Sequence, residues 1–460
     1  MSPADVPVAP SGRTPSGSRL WGPPPWLWLT LVLLAMQIPA FVSRLRWTGS
    51  AIAEWNTVGG SGRLVVTALT LTQTLPLVFL LAGALALLWP SQRRRAVERR
   101  YGLRQPDSHL EAPATSGIHE QMRCFLAEHA PGTELRVSNQ QRLTARVYPG
   151  GWRTTRVGVF SPLIVMWDKD PEAGKAVLLH EVGHFRYGEQ HVAGLGSPFV
   201  GLVRAWPYVF GLFGVLPVAL LFATGNATAP LMLGQIVLVV LAVPKILLIV
   251  VGALWSAELA ADRYAGQAAG QPALLRGLGA LERHEPGGLA RLYHPPIRMR
   301  RWFAARADHR PAQFLLVLLW PAALLAEAVL DLLGGAVAYR LLGGEWDTWG
   351  TATRTAVSLA HEQLTGPLWW SMLAALALWP LIASGWPRLW GWTGPAVGSF
   401  SPSAYAMSAL LPVTALLLGL IPPPAEATGP PQSRPAGGLA GPASPRAARS
   451  GSGTVAFGGR

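Results

Sequence analysis

The sequence predicts a mainly α multi-pass membrane protein with a cytoplasmic domain of helices and a small sheet, interrupted by a transmembrane hairpin. Half of the 460 residues are hydrophobic and only 13% are charged, which is more apolar than an ordinary soluble domain. Apolar runs long enough to cross a bilayer recur along the chain. Strand-like runs are confined to one polar segment between those apolar runs, which places the small sheet in that segment.

Seven apolar runs are candidate spans: 26–42, 64–89, 206–224, 231–255, 314–338, 368–386 and 404–422. The first is short and the sixth contains Pro380, so six spans is the alternative count. Arginines crowd after the second span and before the fifth, and arginines beside a span mark the cytoplasmic side. They also favour anionic lipid headgroups as a partner. The polar segments 90–200 and 256–312 are therefore expected on the cytoplasmic face, and 43–63, 225–230 and 339–367 are expected as external loops.

These runs divide the chain into seven segments. They are a disordered N-terminus at 1–25, two transmembrane helices at 26–89, a first cytoplasmic part at 90–200, a transmembrane hairpin at 206–255, a second cytoplasmic part at 256–312, two or three further spans at 314–422, and a disordered tail at 424–460. Four runs rich in β-branched and aromatic residues predict the strands of the sheet. They are Leu135–Val137, Leu143–Tyr148, Arg156–Phe160 and Leu163–Trp167. An edge strand of such a sheet could hold an extended peptide.

The net charge of +14 does not indicate a nucleic-acid partner. The arginines lie beside the apolar runs, and no module that combines basic and aromatic residues for nucleic-acid binding is visible in the sequence. Cys124 is the single cysteine, which excludes an intrachain disulfide and fits a reducing compartment. We therefore expect no nucleic acid among the partners.

The most informative residues form an HExxH motif at positions 180–184. Asp170 followed by Pro171 is a typical helix start, so the motif is predicted within a helix from Pro171 to Tyr187. His180 and His184, four residues apart, then share one face and could bind one metal ion. Glu181 is adjacent and is placed to take a proton from metal-bound water.

A second acidic segment supplies what the HExxH motif lacks. A catalytic zinc site needs a third protein ligand and an open position, and Glu258 can provide that ligand from a second helix. Asp262 lies one turn further on the same face and could hold the other nitrogen of a ligand histidine. Two histidines and a glutamate with an open position favour one zinc ion over other metals.

Three motifs together resemble a known family. They are His180–His184, the ExxADxxA segment Glu258–Ala265, and the HPPxxxR segment His294–Arg300. They are similar, in type and order, to those of the HtpX-like membrane zinc metallopeptidases, a gluzincin family that also includes the CAAX prenyl proteases. The resemblance implies a gluzincin-type metallopeptidase domain and a multi-pass protein of a bacterial plasma membrane, with its catalytic domain in the cytoplasm.

The resemblance also implies roles for single residues. His180, His184 and Glu258 would be the zinc ligands, and Glu181 the general base and acid. Asp262 would orient a ligand histidine. His294 and Arg300 would lie near the site as possible substrate or oxyanion contacts. Substrates would be proteins or peptides, and membrane proteins above all.

The leading functional prediction is a zinc metalloendopeptidase that cleaves membrane or membrane-associated proteins at the cytoplasmic face. One alternative is a membrane receptor peptidase whose zinc site transmits an external signal; another is a non-catalytic membrane protein with a structural zinc site. Prenyl-protein processing is also open. Lys245, Glu327 and Asp331 lie inside predicted spans, where they could form a structural ion pair or a polar path.

Overall fold

The structure, a computed structural model, describes residues 25–36, 83–107, 112–141, 144–152, 154–223, 225, 229–282, 294–341, 385–386 and 389. The helices before the sheet are α1 (Trp26–Met36), α2 (Pro90–Tyr101) and α3 (Pro113–His129). The strands are β1 (Thr133–Ser138), β2 (Ala145–Pro149) and β3 (Thr155–Phe160). The helices after the sheet are α4 (Ser161–Lys169), α5 (Pro171–Arg186), α6 (Glu189–Val192), α7 (Pro198–Phe210), a π-helical turn (Gly211–Val215), α8 (Leu216–Ala223), α9 (Ala229–Ala269), α10 (Gln271–Glu282), α11 (Ile297–Ala304) and α12 (Arg310–Leu341). The described part is therefore mostly helical with one small sheet.

The sheet has three strands in the order β1-β3-β2. β3 lies in the centre, parallel to β1 and antiparallel to β2, with Val147 opposite Val157. Three of the four predicted strands are thus confirmed. β2 is an edge strand, and it lies against the helix that carries the HExxH motif.

The fourth predicted strand, Leu163–Trp167, is wrong because this segment is helix α4. Pro162 lies in the first turn of α4, a position that proline favours. Leu163 and Trp167 are both buried whereas Val165 is 51% exposed, and that burial follows a helical period rather than strand alternation. The apolar run was too short for its period to be read with certainty from sequence.

Helix α5 is the central element of the described core. It ends one residue before the predicted boundary, and the Asp170 carboxylate accepts a hydrogen bond from the Ala173 N–H (3.1 Å), so the predicted helix start is confirmed. Every residue from Ala176 to His184 is buried. The core cluster that includes residues of α5 and the sheet contains Leu126, Val147, Val159, Leu163, Leu178 and Leu274.

Gly183 allows α5 to lie unusually close to α9. A Cβ atom added to Gly183 would stand 2.8 Å from the Cα atom of Ala261 and 3.1 Å from its Cβ atom. Only glycine leaves room for this approach without a shift of one helix. The close contact brings the acidic residues of α9 beside the histidines of α5.

Within the described part of the chain, no helix is long and apolar enough to cross a membrane. The predicted multi-pass fold class is therefore wrong, and so is the predicted location in a bacterial plasma membrane with a cytoplasmic catalytic domain. The run 206–224 is divided among α7, the π-helical turn and α8. Apolar residues of three other predicted spans pack against one another instead, among them Leu27, Leu254, Trp320 and Leu324.

Several sequence-based predictions lie outside the described residues. They are the disordered N-terminus (1–24), most of the second span (64–82), nearly all of the sixth span (368–384), the seventh span (404–422) and the C-terminal tail (424–460). The side chains of Lys245, Glu327 and Asp331 also lie outside them.

Candidate metal-binding site

Helix α5 presents both motif histidines to the same point. His180 and His184 are separated by one helical turn, and their rings stand 4.9 Å apart at an angle of 86°. Both are buried, with exposed fractions of 5% and 8%. Two imidazoles held this way can offer their ring nitrogens to a shared ligand.

Helix α9 adds Glu258 to the two histidines. One ligand atom from each of the three residues lies within 4.8 Å of the other two. The Glu258 Oε2 atom is 3.5 Å from His180 Nε2, and the Oε1 atom is 3.6 Å from His184 Nε2. The buried group of His180, His184 and Glu258, predicted from sequence as the ligand set, could therefore bind a metal ion.

The spacing of these atoms fits a metal ion better than direct hydrogen bonds. Hydrogen bonds between such groups are shorter, at about 2.7–2.9 Å. Two ligands at about 2.0–2.1 Å from a tetrahedral ion stand about 3.4 Å apart, close to the separations seen here. The Oε2 atom of Glu258 is also buried without a hydrogen-bond partner among the described residues, although buried carboxylate oxygens normally have one.

An ion-pair network holds His180 from behind. Its Nδ1 atom lies 2.9 Å from the Oδ1 atom of Asp262. Arg300, from α11, donates to both oxygens of Asp262, through Nη2 at 2.7 Å and Nε at 2.8 Å. The third Arg300 nitrogen, Nη1, lies 3.3 Å from Glu258 Oε2. Asp262 thereby fixes the ring so that Nε2 faces Glu258, as a metal ligand requires.

His184 has a partner of its own that the sequence reasoning missed. Its Nδ1 atom forms a hydrogen bond with the Oε2 atom of Glu189 at 2.9 Å. Gly188, with a φ of 70°, ends α5 in a left-handed conformation and turns the chain into α6. Glu189 is the first residue of α6 and is buried. The sequence feature that could have predicted this contact is Glu189 directly after Gly188, the glycine at the end of the HExxH-motif helix.

These contacts set the protonation of the site in the absence of a metal. Burial and the charge of Arg300 oppose protonation of His180, but Asp262 and Glu258 outweigh them and raise its pKa to about 9. Burial raises the pKa of Asp262, but Arg300 and then His180 outweigh it and lower the pKa below its ordinary value. Below the pKa of His180 its ring is protonated, so the binding of a metal ion there releases a proton.

Glu181 faces a different set of groups on strand β2. It is 1% exposed, and its Oε1 atom accepts a hydrogen bond from Arg146 Nη1 at 3.0 Å. Its Oε2 atom accepts the backbone N–H of Val147 at 2.9 Å. Arg146 also donates through Nη2 to the Nε2 atom of His294 at 3.2 Å. The Nδ1 atom of His294 lies 3.0 Å from Glu258 Oε1.

The two residues taken from the HPPxxxR motif thus occupy different places. Arg300 is 8% exposed and contacts two carboxylates, Asp262 behind His180 and the ligand candidate Glu258. The side chain of His294 is 19% exposed and contacts Arg146 and Glu258. The sequence reasoning missed Arg146. It lies 35 residues before Glu181, and the sequence of its strand does not show which helix the side chain contacts.

A scan against protein-family models found no matching family, and searches of curated proteins and of solved structures found no match.

Proposed function

We propose that this protein is a zinc-dependent endopeptidase of the gluzincin type, similar in its motifs to the HtpX-like metallopeptidases. One observation carries the proposal: the buried His180, His184 and Glu258 group has a carboxylate, Glu181, next to its first histidine on the same helix. Two histidines and a glutamate with an open fourth position form a common catalytic zinc set. The metal's identity and the activity are both part of the proposal.

The residues of the chain would each have a defined task. His180, His184 and Glu258 would hold the ion, which supplies a Lewis acid for the scissile carbonyl and lowers the pKa of water. Asp262 and Glu189 keep the two imidazoles oriented. Glu181 accepts a proton from the attacking water and later donates it to the leaving amine.

Strand β2 supports a peptide as the substrate. Val147 directs its N–H to Glu181 and its carbonyl to the Leu195 N–H (2.9 Å), so both groups point away from β3. Ala145, two residues earlier, shares that direction because strands alternate with a period of two. Because the outward groups of Val147 are already bonded within the chain, an extended peptide would pair with β2 at Ala145, in the manner of strand addition.

The proposal is tested by hydrolysis of an unfolded, carboxymethylated protein by the purified wild type and by Glu181→Gln. Loss of the proton acceptor should lower the rate by about 10²–10⁴-fold, while the zinc content stays at that of the wild type. Removal of the metal should abolish wild-type activity, and zinc should restore it.

The same comparison can reject the proposal. Equal rates for the wild type and Glu181→Gln would exclude Glu181 as the acid and base. No hydrolysis by a wild type that binds zinc stoichiometrically would leave a structural metal site, which was one of the alternatives from sequence.

A further inference from the structure

Arg146 is a cation that no motif of the sequence announces, and it lies at the partly open side of the site. Its side chain is 34% exposed, although it contacts a carboxylate that is 2% exposed. It stands on the edge strand β2, opposite Gly158 of β3. A substrate that approaches along β2 would therefore meet this guanidinium beside Glu181.

The second arginine of the site is already fully engaged. Arg300 has a side chain that is 10% exposed, and it makes two hydrogen bonds to Asp262 and an ion pair with Glu258. Release of Arg300 would leave buried carboxylates without their counter-charge, which is costly. Of these two arginines, only Arg146 has room to contact a substrate.

The partners of Arg146 define where its charge acts. One nitrogen, Nη1, donates to Glu181 Oε1, and the other, Nη2, donates to His294 Nε2, whose ring lies against the ligand Glu258. The guanidinium thus spans from the proposed base to the edge of the ligand set. Asp262 and Glu189 contact the Nδ1 atoms of the two histidines and lie behind them.

We propose that Arg146 is a catalytic residue that stabilises the negatively charged oxygen of the tetrahedral intermediate. This inference rests on the proposed endopeptidase function. The water oxygen adds to the carbonyl carbon, the π-electron pair moves to the carbonyl oxygen, and the water proton moves to Glu181. The C–N bond then breaks as that pair returns, and the proton on Glu181 moves to the amine nitrogen.

The movement of charge in this step explains the position of Arg146. In the resting site its positive charge is balanced by the Glu181 carboxylate. When Glu181 becomes protonated it loses its charge, and a new negative charge forms on the substrate oxygen. Because Arg146 is next to both Glu181 and the substrate oxygen, its positive charge stays balanced throughout the step. Its planar guanidinium can also donate two hydrogen bonds to an oxyanion.

The kinetic test compares Arg146→Ala and Arg146→Lys with the wild type on one peptide substrate. Loss of an oxyanion donor should lower kcat by about 10²–10³-fold, with little change in KM. Arg146→Lys should recover part of that loss, because lysine keeps the positive charge but lacks the planar guanidinium that donates two parallel hydrogen bonds. Arg123→Ala is the matched control, since Arg123 is exposed and pairs with the exposed Glu120; its kcat should equal that of the wild type.

The binding test uses two inhibitors with the same peptide sequence and needs no turnover. A phosphinic pseudopeptide carries a charged tetrahedral group, whereas its ketomethylene counterpart carries a neutral planar carbonyl. Arg146→Ala should weaken the phosphinic ligand about 100-fold and leave the affinity for the ketomethylene ligand and the zinc content close to wild type. The melting temperature should fall, because the buried Glu181 carboxylate loses its counter-charge, so both affinities are measured well below it.

Three results would overturn the assignment of Arg146: an unchanged kcat in Arg146→Ala, equal weakening of both ligands, or weakening of neither. These outcomes differ from a failure of the proposed function. If the wild type hydrolyses no peptide, the endopeptidase proposal fails; if it is active and Arg146→Ala keeps its kcat, only the role of Arg146 fails.

Discussion

The two sides of the candidate metal site differ in exposure and in what they contact. We call Asp262, Arg300 and Glu189 the rear group, because Asp262 and Glu189 contact the Nδ1 atoms of the histidines and Arg300 holds Asp262. Every member is less than 9% exposed. The front group is Glu181, Arg146 and His294. The side chains of Arg146 and His294 are 34% and 19% exposed, and the group lies beside the edge strand β2.

This difference predicts that the rear group determines metal affinity and the front group determines catalytic turnover. The rear group consists of charges paired with each other or with ligand histidines, and a change there should alter metal affinity and folding together. Among the described residues, the front group meets the ligand set at the contact of His294 with Glu258, so a change in Glu181 or Arg146 should alter turnover at constant metal content. The following predictions test that separation.

The largest effect is expected from Asp262→Asn in the rear group. The change removes the buried counter-charge of Arg300, and breaking a buried pair costs about 3–5 kcal/mol in the free energy of unfolding. It also loosens His180, so zinc affinity should fall about 10–100-fold. Chemical denaturation and competition with a chelator measure the two effects.

Asp168→Asn is the control for that variant, because Asp168 is an exposed aspartate at the end of α4. Its stability and zinc affinity should equal those of the wild type. An Asp262→Asn protein that keeps both properties would show that the rear group does not hold His180.

A smaller effect is expected where α5 meets α9. In Gly183→Ala the new methyl group would stand 2.8 Å from a backbone atom of Ala261, so one helix must shift. Overpacking of this kind costs about 1–3 kcal/mol, and the shift should also separate Glu258 from the histidines and weaken zinc binding. Gly279→Ala, a helical glycine with open space around it, should be neutral or stabilising. Equal behaviour of the two variants would contradict the close approach.

The smallest effect is expected at the start of α5, remote from both groups. Asp170→Ala removes the helix cap and should cost about 1 kcal/mol of stability without a change in zinc affinity. Arg276 and the N–H of Ala173 lower the pKa of Asp170. Its contribution is therefore full at neutral pH and is lost as the pH falls through that lowered pKa.

Thermal unfolding of the metal-free wild type and Asp170→Ala across acid pH measures this. The two stabilities should converge at the acid end. A constant difference at every pH would mean that the carboxylate charge at position 170 contributes nothing.

The ligand set was accessible to sequence reasoning because its geometry is local to helices. Four-residue spacing places His180 and His184 on one face, and the same spacing relates Glu258 to Asp262. The start of α5 followed from Asp170 and Pro171 for the same reason. Local rules therefore predicted the group of residues that the structure brings together.

The remaining features depend on contacts between distant segments. Arg146 reaches Glu181 only because β2 is an edge strand against α5. Glu189 reaches His184 only because Gly188 turns the chain back. The membrane prediction failed because an apolar run has the same composition whether it faces lipid or packs in a core, as Leu254 and Trp320 do.

The most direct test of the central claim is X-ray absorption at the zinc edge of the zinc-loaded protein. The account predicts two imidazole nitrogens at about 2.0–2.1 Å and a carboxylate oxygen at about 2.0–2.2 Å, and one imidazole fewer in His184→Ala. Glu181→Gln should leave the spectrum unchanged. A sulfur ligand from Cys124, or a zinc ion without two imidazoles, would contradict it.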